Sequence, residues 1–120
     1  MKPRIWYHAT CKDLGSYVVL EPHIPYVYRE PDIPRICVAP NVRCCLAAVP
    51  CLDEHMHVYV TTEPIMAYMP HDVVDSRRTH ERWLLKPTMF IRLRTVYMPH
   101  GRGNHKSSTW QVDFKREYRP

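Results

Sequence analysis

The chain has 120 residues, 45% of them apolar, with eight tyrosines and three tryptophans. That is enough for one packed domain, too short for two, and too apolar and aromatic for a disordered segment. The formal charge of +5 and pI near 9.1 favour anionic partners without naming one, and no apolar run approaches the roughly 20 residues of a membrane helix.

Twelve prolines against three glycines break the chain too often for long helices, so short strands are expected. From Arg4 to Thr10 the residues alternate, with Ile5, Tyr7 and Ala9 on one face and Trp6, His8 and Thr10 on the other. Gly15 closes a short connection, and the run from Tyr17 to Pro22 reads as a second strand. A proline-rich extended loop carrying Tyr26 and Tyr28 leads to a third strand, Arg35 to Pro40. Asn41 is a candidate N-cap for a helix with Val42, Cys45, Leu46 and Val49 on one stripe, stopped by Pro50.

A strand follows from His55, and Thr62 and Pro64 are expected to open a short helical turn through Met69. After the polar loop 71–80 come two further strands. The first starts at Glu81, and the second has Met89, Ile91 and Leu93 facing in with Arg92 and Arg94 facing out. A basic segment, 99–120, contains the alternating stretch Thr109 to Lys115, with Trp110, Val112 and Phe114 on one face, and reads as an edge strand. The whole is one domain, 1–120, with its core at about 3–98. Five cysteines, an odd number with no leading secretory stretch, point to free thiols in a reducing cytoplasm.

Three kinds of chemistry are weighed on the residues. Cys44, Cys45, Cys51, His55 and His57 lie close together, but adjacent helical cysteines diverge and neither CxxC nor HxxxH spacing occurs, so core cysteines and no metal are expected. No nucleophile elbow marks a cysteine–histidine pair, and no glycine-rich phosphate loop is present. What remains is an ordered set: His8-Ala9-Thr10 in the first strand, Arg35-Ile36-Cys37-Val38-Ala39 before a helix with small residues, and Glu81-Arg82-Trp83-Leu84-Leu85 opening a late strand pair.

These stretches resemble the three motifs of the ADP-ribosyltransferase-like fold, the family of NAD-using toxins and poly-ADP-ribose polymerases, over most of residues 4–94. The resemblance implies an α+β domain of two packed, mainly antiparallel β-sheets with short helices. It implies NAD as substrate, with His8 on the nicotinamide ribose and the Ala9 and Thr10 segment beside it. Glu81 would be the carboxylate that stabilises the oxocarbenium-like cation, so His8 and Glu81 are the catalytic candidates. Ala9 stands where the family has glycine, and Cys37 where it has the tyrosine that stacks on nicotinamide. Tyr26 or Tyr28 would then have to stack, and Arg35 or Arg29 would meet the phosphates. The implied activity is transfer of ADP-ribose to a protein or nucleic-acid acceptor. Two alternatives stand beside it: a non-catalytic nucleotide-sequestering protein of viral type, and an interaction module using the basic tail on nucleic acid or protein.

Overall fold

The structure, a computed structural model, describes residues 2–24, 33–47, 55–70 and 80–97. Among the described residues, two antiparallel sheets and one short helix make an α+β fold. The strands are β1 (Tyr7–Thr10), β2 (Tyr17–Leu20), β3 (Ile36–Val38), β4 (His55–Thr61), β5 (Arg82–Leu84) and β6 (Thr88–Tyr97), and the helix is α1 (Val42–Ala47). One sheet runs β1-β4-β6-β2 and the other pairs β3 with β5. Every ladder is antiparallel. The sheets are joined by a seam: Tyr7 and Ala39 exchange backbone hydrogen bonds of 2.9 Å in both directions, which brings β3 against β1.

The four-stranded sheet buries apolar side chains on both faces. Ala9, Met56, Val58 and Val96 pack with Ala39, Cys45 and Leu46 on the helix side. Tyr59 and Phe90 pack with Trp6, Ile36, Val38, Ala67 and Leu84 on the side of the second sheet. One strand reaches both cores because β6 carries a bulge: Tyr59 pairs with Arg92 and Val58 with Arg94, which leaves Leu93 unpaired. An extra residue in one strand reverses its alternation, so Phe90 and Val96 turn to opposite faces although their numbers share parity.

The orientation expected for β6 is therefore corrected. Phe90 and Val96 are fully buried, whereas Met89, Ile91 and Leu93 are 43%, 43% and 47% exposed. Polar residues at 92 and 94 suggested an outward arginine face, yet both arginines are only partly exposed. Arg92 stretches its guanidinium out to Asp13, 2.6 Å away, the usual way a long cationic side chain lies along a sheet with its head in water.

Local chemistry accounts for the other elements. Asn41 caps α1 by accepting the Cys44 N–H at 2.8 Å on its side chain, while its carbonyl accepts the Cys45 N–H. Val42, Cys45 and Leu46 face the core as the periodicity predicted, and Val49 and Pro50 lie outside the described residues. The turn after β1 is closed by Asp13, which accepts the Gly15 N–H, with Gly15 at φ 95°, a conformation glycine adopts without steric cost.

The helical turn expected over 64–69 is a second correction. Ile65 exchanges backbone bonds with Arg4, and Tyr68 with Trp83. Extended backbone there gains backbone partners at Arg4 and at Trp83 of β5, which one isolated helical turn could not offset. The polar loop 71–79 and the basic segment 99–120 fall outside the described residues. Among the described residues, no helix is long and apolar enough to cross a membrane.

Candidate functional site

The seam determines where His8 goes. It lies opposite Tyr59 in the β1–β4 ladder, faces the same side, and packs its ring against Phe90 at 5.9 Å between centroids. Its Nδ1 is 2.8 Å from the Cys37 carbonyl oxygen. A carbonyl only accepts, so Nδ1 carries the proton and Nε2 is left as the acceptor of a neutral ring. Burial holds the His8 pKa below 6.5; the Cys37 carbonyl opposes that shift and nearby His23 adds to it.

Glu81 arrives from the other sheet. The chain turns at His80, which has φ 56°, and Glu81 stands at the head of β5. Its Oε2 accepts the indole N–H of Trp83 at 2.7 Å. Trp83 is the cross-strand partner of Cys37, and the Glu81 carboxylate lies beside the Cys37 thiol. Burial first, then the charge and hydrogen bond of Glu81, push that thiol up to about 12, against an opposing pull from Arg35. Cys37 is thus met at its carbonyl by His8 and at its thiol by Glu81.

The remaining predicted residues divide. Ala9 faces away from His8 into the core under α1, as alternation along a strand requires. Thr10 shares the face of His8, but its hydroxyl accepts the Lys12 N–H in the following turn. Arg35 is buried, stacks its guanidinium 4.0 Å from the Trp83 ring centre and donates to the Ile33 carbonyl. Trp6, which shares the face of His8, is core: it is buried in the cluster between the sheets and donates its indole N–H to the Ile65 carbonyl at 2.7 Å. Tyr26, Tyr28 and Arg29 lie outside the described residues.

Two site residues escaped the sequence reading in that role. His23, whose backbone pairs with Arg35, is close enough to act on His8 electrostatically. Trp83 is the other: residues two apart on a strand share a face, so the Glu81-x-Trp83 spacing already put the indole beside the carboxylate. Trp83 also floors an open groove of about 460 Å³, lined by Ile65, Met66, Tyr68, Leu85 and Lys86 among others.

The histidines of β4 form a separate group. His57 Nδ1 lies 2.8 Å from the Thr95 hydroxyl, and its ring meets that of His55 edge-on at 5.2 Å. Of the cysteines once grouped with them, Cys45 packs in the core and burial raises its thiol pKa, while Cys51 lies outside the described residues. Among the described residues, no group of three or more His, Cys, Asp or Glu is arranged to hold a metal ion.

The fold and site define a small α+β domain in which an imidazole and a carboxylate from different sheets converge on one strand. Comparison with protein-family models, with curated proteins and with solved structures finds no match.

Proposed function

We propose that the chain is an ADP-ribosyltransferase-like protein that takes NAD, or a nucleotide built on ADP-ribose, at the seam between its two sheets. The observation that supports this reading is the convergence of His8 and Glu81 on Cys37. A neutral His8 with its proton on Nδ1 offers Nε2 to a ribose hydroxyl proton. A carboxylate fixed by the Trp83 N–H places negative charge where positive charge develops on the ribose. In the reaction, the bond between ribose C1′ and the nicotinamide nitrogen breaks and its electron pair leaves with nicotinamide. A hydroxyl or amine of a protein or nucleic-acid acceptor forms the new bond to C1′ and releases its proton to water.

A second reading, a nucleotide binder without turnover, draws on Cys37. A small, protonated thiol supplies no flat face for nicotinamide to stack on. Incubation with NAD separates the two: free nicotinamide that disappears in Glu81→Ala supports the transferase, and ADP-ribose binding without nicotinamide release supports the binder. Absence of both removes the nucleotide reading.

A further inference from the structure

We infer that Trp83 is a positioning residue for Glu81, and that Arg35 and Tyr68 serve the site through Trp83 rather than by touching a ligand. The catalytic consequence rests on the nucleotide reading above; the positioning itself does not.

A glutamate at the head of a strand has three rotatable bonds, and a carboxylate free to sweep them would face a bound ligand only part of the time. Here the Trp83 indole N–H holds it at 2.7 Å, with the Cys37 thiol close enough to feel its charge. Indole nitrogen donates and never accepts, so the contact fixes which carboxylate oxygen faces the ring. A carboxylate has about four lone-pair sites, and the indole N–H takes one of them.

The indole is itself held. Trp83 is 1% exposed and is paired on one side with Cys37 of β3 and on the other with Tyr68. The Arg35 guanidinium stacks 4.0 Å from its centre, and the Tyr68 ring lies at 5.7 Å and 31°. A planar cation from the residue before β3 and a second ring from the bridge at Tyr68 leave the indole little freedom to turn its N–H away from Glu81. This gives Arg35 a task other than the phosphate contact expected of it.

Two measurements on the full chain test the inference. In ¹⁵N-tryptophan-labelled protein without nucleotide, Glu81→Ala moves the Trp83 indole N–H resonance and leaves that of Trp6, which bonds the Ile65 carbonyl, in place. Arg35→Lys, which keeps the charge but loses the planar face, moves the Trp83 resonance less. An unmoved Trp83 signal in Glu81→Ala overturns the inference.

In the second measurement, Trp83→Phe lowers kcat for nicotinamide release from NAD by on the order of tenfold to 100-fold, the usual cost of removing a group that orients a functional side chain, with KM little changed. The double variant Trp83→Phe/Glu81→Gln is no slower than Glu81→Gln alone, because one acts through the other. Independent, multiplying losses would mean a merely structural tryptophan and overturn the inference. If the chain binds without turnover, Kd for ADP-ribose replaces kcat in the same cycle. If neither nucleotide binds, the functional reading fails and the resonance experiment alone decides the positioning.

Discussion

The Cys37 thiol reports on the geometry of the site without any ligand. Burial and the adjacent Glu81 carboxylate raise it from 9.0 to about 12, so near pH 8 its thiolate fraction is about three orders of magnitude below that of an ordinary thiol. Only the thiolate attacks an alkylating reagent. Tryptic cleavage after Arg35 and Arg43 isolates Cys37 in its own peptide, Ile36 to Arg43, so mass spectrometry reads its iodoacetamide labelling separately from the other cysteines. The expected rate is roughly a thousandth of that of a free cysteine peptide and rises about tenfold per pH unit between pH 7 and 9.5 without a plateau. Glu81→Gln removes the neighbouring negative charge and accelerates labelling at fixed pH. A plateau near pH 9, or a rate indifferent to Glu81→Gln, would refute the placement of the carboxylate beside the thiol.

Two further outcomes follow from the packing and from the histidines. Phe90→Ala empties a fully buried site and should cost about 3–5 kcal/mol, while Ile91→Ala, with its side chain 43% exposed, should cost about 1 kcal/mol or less in urea unfolding; the reverse order would mean the bulge is misplaced. His8 and His57 are both held below 6.5, in each case chiefly by burial. The unfolded chain therefore takes up protons that the folded one refuses. Stability from these groups is fully present above about pH 6.5 and is lost as pH falls from there through their lowered folded-state values. Thermal unfolding at several pH values should show this loss, and His57→Gln should reduce its slope; equal loss in that variant would contradict the assignment.

Local signals carried much of the fold. The Asn41 cap, the alternation around His8, the glycine turn at Gly15 and the short proline-limited strands are properties of neighbouring residues, and the structure has them. What sequence could not reveal was set by pairing at a distance. The bulge at Leu93 depends on the register of β4 against β6, and without it the β6 run supports either orientation. The extended path through Ile65 and Tyr68 depends on partners at Arg4 and Trp83. In the site, the order of His8, Cys37 and Glu81 was legible, but His8 reaches Cys37 through the Tyr7–Ala39 seam and Glu81 through the β3–β5 ladder. That Arg35 would lie on an indole could not be read from a charge in a strand, whereas the Glu81–Trp83 contact could have been read from their spacing.

The central claim is that His8 and Glu81 serve one nucleotide site, and calorimetric titration of the chain with NAD and ADP-ribose tests it most directly. The account predicts one molecule bound per chain, with affinity reduced about tenfold or more in both His8→Ala and Glu81→Ala, since each variant removes a group placed against the ligand. A folded protein that gives no binding signal with either nucleotide, or an affinity that both substitutions leave unchanged, would contradict it.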